Sequence, residues 1–206
     1  MSNETMNRIQ VLEVLCKILE RQAEITEILE QRLCDTCEPE VPDWENLRKQ
    51  VSQKLSGLVK MYEYSKNLPR DELGISAQAA SSYLLRIQCT LAHVLLMIDM
   101  VRGDSFSEIY MESFRSIIQK VYEEFIAVKH MTGQCGDNPD EMSSSLQTVL
   151  KLEREIDEDN IIICRQVTVA TGGESDFICY MMRKIVRELE HISDYLKACA
   201  EIIAEI

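Results

Sequence analysis

Glycine and proline are scarce in this 206-residue chain, at seven and four, and aromatic side chains make up only 6% of it. A sheet protein needs frequent turns and draws on aromatic and β-branched side chains, so this shortage argues against strands. A basic stripe is also missing. Lys and Arg number 22 against 35 acids, giving a net charge of −13 and a pI near 4.7, which excludes a nucleic-acid partner. No uninterrupted apolar run approaches the roughly 20 residues of a membrane span, and Met1-Ser-Asn-Glu-Thr5 does not read as a signal peptide. A cytoplasmic protein without direct membrane insertion is therefore expected. No nucleophile stands beside a base, no glycine-rich phosphate loop follows a strand and no histidine cluster is visible, so an enzyme is not expected.

What is present is 46% hydrophobic content arranged in long segments of Leu, Ile, Glu and Lys, enough for one substantial core. The expected fold is all-α, as a single domain over residues 1–206. Helices are read from about Glu4 to Leu33 (inner stripe Ile9, Leu12, Cys16, Leu19, Ala23), from about Asp43 to Asn67, and from about Ser76 to Val101. The last of these is apolar on most of its surface and is expected to be the central, most buried one. A fourth runs to about Met131, and Pro139 opens a fifth, joined to a sixth by a turn at Gly172 and Gly173. Each half then repeats one plan of three long helices, over about 1–103 and 104–206, which suits an antiparallel six-helix bundle.

The fifth and sixth helices carry the chemistry. Glu153 and Asp157 lie four apart on one, Glu190 and Asp194 four apart on the other, so each arm can present two carboxylates on one face. Packed antiparallel, the arms bring four carboxylates to one level. On the fifth helix the apolar stripe runs Met142, Leu146, Val149, Glu153, Ile156, Asn160, Ile163, Val167, which puts Glu153 where an apolar residue belongs and Asp157 at its border. Glu190 and Asp194 flank the stripe of Met182, Ile185, Leu189, Ile192, Leu196, Cys199 and Ile203. A buried carboxylate calls for a metal cation, an Arg or Lys, or a pKa shift. Arg154, Arg183, Arg187 and Lys197 are close enough in sequence to answer as salt bridges, and paired carboxylates also suit Fe(III), Mn(II) or Zn(II).

Two three-helix repeats with Glu-x-x-x-Asp on paired helices resemble PhoU. Leu152-Glu153-Arg-Glu-Ile-Asp157 followed by Leu189-Glu190-His-Ile-Ser-Asp194 is most similar to the smaller PhoU-related family of phosphate transport regulators, over about residues 105–206. The resemblance implies iron or zinc held by Glu153, Asp157, Glu190 and Asp194. It also implies a non-enzymatic regulatory or accessory role in phosphate transport, with a transporter, a sensor or their regulatory proteins as partners. A homo-oligomer is compatible with it. The first half departs from the pattern: with Arg86 set against Arg187, Cys89 and His93 stand opposite Glu190 and Asp194, and Gln50 to Lys54 offers no acid pair. One site is expected, in the second half. The alternatives are a carboxylate-bridged bundle that binds or oxidises iron, and a metal-free helical interaction module.

Other pairs compete for attention. Glu188-Leu-Glu-His191 matches the Glu-x-x-His of ferritin-like di-iron bundles, which need a second such motif, and neither His93 nor His130 has a Glu three residues before it. Cys34-Asp-Thr-Cys37 is half of a zinc site that Cys135 and His130 could complete, against a reading as plain loop thiols. Of eight cysteines, Cys16, Cys89 and Cys199 fall on apolar stripes and are expected to act as small hydrophobes, while Met97, Met181 and Met182 read as core fillers.

Overall fold

The computed structural model describes residues 6–34, 46, 49–50, 52–53, 68–100, 108–134, 138–170, 172–173 and 177–206. Every element among them is α-helical: α1 (Arg8–Cys34), α2 (Glu72–Met100), α3 (Glu108–Gln134), α4 (Pro139–Ala170) and α5 (Phe177–Glu205). The helix expected between Asp43 and Asn67 lies mostly outside the described residues, of which 46, 49–50 and 52–53 are helical.

Local chemistry sets the helix ends. Asn7 caps α1 reciprocally, its Oδ1 accepting the Gln10 amide at 3.0 Å while its own amide donates to Gln10 Oε1 at 2.9 Å. Asp71 Oδ1 accepts the Gly74 amide at the start of α2. Pro139 opens α4 as expected, behind Asn138, whose carbonyl and side chain accept the Met142 and Glu141 amides. At the other end Gly172 and Gly173 take φ of +60° and +83°, and their amides close onto the carbonyls of Val169 and Thr168. That left-handed stop is one that glycine adopts without a steric penalty, and it reverses the chain into α5.

The hairpin arms are antiparallel: Glu153, Asn160 and Thr168 of α4 meet Lys197, Glu190 and Arg183 of α5 in reverse order. The contacts of α2 with α5 run the same way, from Ala80–Cys199 through Tyr83–Tyr195 to His93–Glu188. Those of α3 with α4 do too, from Ser113–Gln166 to His130–Ser145. The core gathers the stripes of all five helices, with Leu15, Leu84, Ile117, Phe125, Ile156 and Leu189 almost wholly enclosed.

Two expectations need correction. Among the described residues the centre is shared by α3 and α5, each packed on three other helices, while α2 packs on α1 and α5. On α2, Leu85 and Leu96 are about half exposed. The stripe of α1 is turned and widened relative to the one read: Val11, Leu15, Ile18, Ile25 and Leu29 are enclosed and Ile9 is 69% exposed, because α1 serves both α2 and α3. By average hydropathy Glu72–Ile98 is long and apolar enough to cross a membrane, but charged and polar residues interrupt every run in it, as the sequence reading has it. Here that apolarity is largely spent inside the bundle, through Ala77, Leu84, Leu91 and Val94.

Candidate functional site

The α4–α5 seam brings the four sequence-selected acids into one electrostatic neighbourhood. Glu153 is buried, and the Lys197 ammonium of α5 donates to its Oε1 at 2.7 Å. That hydrogen bond raises the lysine's pKa. Two turns on, the Asn160 amide donates to Glu190 Oε2 at 2.7 Å. Partial burial pushes the Asp157 carboxyl up first of all, with the charges of Glu153 and Asp194 adding to it. Glu190 is raised in the same way, by burial and then by Asp194 and Asp157. Asp194 is exposed at the rim.

A fifth acid joins them. Glu124 of α3 is fully enclosed, and neither of its carboxyl oxygens has a hydrogen-bond partner among the described residues. The nearest hydroxyl, Ser193 Oγ, draws its pKa down, but its placement falls short of a hydrogen bond and it is itself buried and unpaired. Desolvation dominates, and with Glu153 and Asp194 nearby it holds Glu124 well above the usual carboxylate range. Glu124 was legible in principle, since it continues the stripe Ile117, Val121, Glu124, Val128, Met131. A search for Glu-x-x-x-Asp passes over it because Val128 stands four residues on.

Each way of accommodating a buried carboxylate is thus in use: an ammonium on Glu153, an amide on Glu190, a proton-favouring environment around Glu124. The donors are carboxylate oxygens, the right chemistry for a hard cation. As placed, however, no three His, Cys, Asp or Glu side chains among the described residues are gathered closely enough to hold a metal ion, and Lys197 already sits on Glu153.

The competing motifs resolve differently. Cys89 is exposed and His93 half exposed, so this pair lies on the surface rather than in the core. His93 Nδ1 comes within 3.8 Å of Glu188 Oε1, and His191 Nδ1 within 3.7 Å of Glu188 Oε2, so two imidazoles share one carboxylate. Arg183 bonds Thr168, while Lys197 bonds Glu153 and Arg187 acts on Glu190 by charge. His130 pairs with Ser145, while Cys37, Cys135 and the side chain of Cys34 lie outside the described residues. Met97, Met181 and Met182 are core, as read.

No family model matches the chain, and no curated protein matches it by sequence. By structure it is similar to a protein of Shewanella oneidensis MR-1 described as a PhoU-like phosphate regulatory protein, with a TM-score of 0.77 at 10% identity over 95% of this chain and 97% of that one. The chain has a PhoU-like fold.

Proposed function

We propose that this protein is a non-enzymatic regulator of phosphate homeostasis that works in the cytoplasm by docking on transport machinery. The observation that carries the reading is the likeness along almost the full length of both chains to a PhoU-like phosphate regulatory protein. The seam adds support, because among its described residues no nucleophile is paired with a base. Deleting the gene in its host and following phosphate uptake tests the reading. Altered uptake, or altered expression of phosphate-responsive genes, is expected; a deletion strain that matches its parent in both at low and high phosphate overturns it.

The finer part of the proposal is an iron or zinc ion at the seam. Glu153 and Asp157 from α4 and Glu190 and Asp194 from α5 would hold it, with Glu124 behind them. Such an ion would supply positive charge that ties the two arms together. What supports it is the charge count, five carboxyls in mutual influence with one ammonium close by. Elemental analysis of protein purified without tag or chelator, beside a Glu153→Gln, Glu190→Gln double variant, decides it. Metal in the parent and none in the variant is expected, and a metal-free parent removes this part while leaving the regulatory reading intact.

A further inference from the structure

A second cluster lies on a different seam, where α2 packs against α5. The antiparallel packing of these helices sets His93 Nδ1 3.8 Å from Glu188 Oε1, and His191 Nδ1 stands 3.7 Å from Glu188 Oε2. The chain has three histidines, so two of the three converge on one carboxylate, while His130 pairs with Ser145 between α3 and α4. Neither N···O distance is short enough for a hydrogen bond, so such a bond is not what holds the rings there. The scaffold under the cluster is firm. Tyr83 of α2 and Tyr195 of α5 approach to 6.1 Å between ring centroids, Arg86 lies 5.7 Å over both rings, and Ile87, Leu91, Leu189 and Ile192 are buried on the same two helices.

We infer that His93, Glu188 and His191 form a zinc-binding site that joins α2 to α5. Two imidazoles and one carboxylate are the donor set of a three-ligand zinc site whose fourth position is open to solvent. Imidazole also favours zinc over the hard cations that suit the all-carboxylate α4–α5 seam. As placed, the three donors are not gathered at bonding distance, but the gap is short. Donors about 2.1 Å from an ion at a tetrahedral angle stand about 3.4 Å apart, so each N···O pair has only about 0.4 Å to close. Both imidazoles are partly in solvent and can turn without disturbing the core, whereas Glu188, 13% exposed, sits deeper and fixes the centre. The competitor is Lys184, whose Nζ lies 3.7 Å from Glu188 Oε1. It is a partly exposed ammonium on a flexible stem, weakly held, and it yields to a dication at small cost. The site rests neither on the regulatory reading nor on a metal at the α4–α5 seam: an ion here ties the first half of the chain to the second.

The experiment is a zinc titration, against a chromophoric chelator, of the untagged full chain carrying Glu153→Gln and Glu190→Gln, which takes the acid pairs out of the count. This protein is expected to bind a zinc ion. Adding His93→Ala, Glu188→Gln or His191→Ala is expected to weaken that binding at least tenfold, while His130→Ala leaves it unchanged. Circular dichroism checks that each variant stays folded. As an independent readout, ring-proton NMR follows the three histidines, assigned through the three His→Ala variants. Zinc should shift the ring signals of His93 and His191 and leave those of His130 in place. No zinc bound by the acid-substituted chain, binding that survives the His93, Glu188 and His191 substitutions, or zinc that moves neither ring overturns the inference. None of these outcomes bears on the regulatory reading, which the deletion strain tests.

Discussion

Replacing Glu124 isolates the most perturbed group in the bundle. The side chain has no solvent exposure and no hydrogen-bond partner for either oxygen among the described residues, and burial drives its pKa far above the usual carboxylate value of 4.5. The sign follows from proton binding. Between about pH 4.5 and the higher folded pKa, the folded chain holds the proton and the unfolded chain does not, so stability must fall as pH rises through that window. One group contributes at most about 1.4 kcal/mol per pH unit, or about 2.7 kcal/mol between pH 5.5 and 7.5. Asp157 and Glu190 are raised as well and act in the same direction, so the wild-type slope alone does not single out Glu124.

The difference between wild type and Glu124→Gln does, because the amide keeps the shape and cannot ionise. Urea unfolding at pH 5.5, 6.5 and 7.5 in the presence of chelator gives both slopes. The wild type is expected to lose stability more steeply than the variant, by up to about 1.4 kcal/mol per unit. Glu124→Leu, similar in volume and flanked on α3 by Val121, Phe125 and Val128, removes the unsatisfied polar group altogether and should gain about 1–3 kcal/mol at pH 7.5. Parallel pH profiles for wild type and Glu124→Gln, or a Glu124→Leu protein less stable than wild type at pH 7.5, would refute the reasoning.

Lys197→Met strands a buried Glu153 carboxylate. Because the ammonium is 33% exposed, the loss should be about 1–3 kcal/mol, below that for a fully enclosed pair, and adding Glu153→Gln should restore most of it in urea titrations. If the double variant recovers nothing, the loss belongs to packing of the lysine stem. Gly74→Ala places a Cβ 1.8 Å from the Pro69 carbonyl oxygen, a backbone atom that cannot swing aside. A loss of roughly 2 kcal/mol or more is expected, read as a lowered Tm, and an unchanged Tm contradicts that close approach. Burial pushes the Cys199 thiol up to about 12, whereas Cys89 is exposed. Iodoacetamide followed by peptide mass spectrometry should therefore label Cys89 in the native protein and Cys199 only after unfolding, and native labelling of Cys199 would count against its burial.

How much of this was legible in sequence varied with the helix. On α4 and α5 the apolar stripe is narrow and the opposite face charged, so the 3.6-residue period fixed which residues face inward, and Val149, Ile156, Ile163, Leu189, Ile192 and Leu196 are all buried as read. The intrusion of Glu153 into that stripe was visible for the same reason. On α2 apolar residues occur all round the helix, the phase is ambiguous, and Cys89, read on the apolar stripe, is exposed. Ile9 misled because it stands in the first turn of α1, where a helix end can leave an apolar side chain in solvent. Glu124 was missed for a different reason: its signal is one acid interrupting the stripe of a helix that carries no Glu-x-x-x-Asp pair, and only the packing of α3 against the hairpin gives that acid its neighbours.

The hairpin divides its chemistry along its length. Its cross-helix polar contacts form a ladder, with Glu153–Lys197 and Asn160–Glu190 in the middle and Thr168–Arg183 near the turn. Of the middle rungs, Glu153–Lys197 pairs opposite charges behind partial burial and so changes little with salt, while the neutral Asn160 amide leaves the charge of Glu190 in place. The end rung carries no acid, so the seam's carboxyls gather in the middle of the hairpin, where α4 and α5 meet Glu124 of α3 and Lys197 is the ammonium bonded to them.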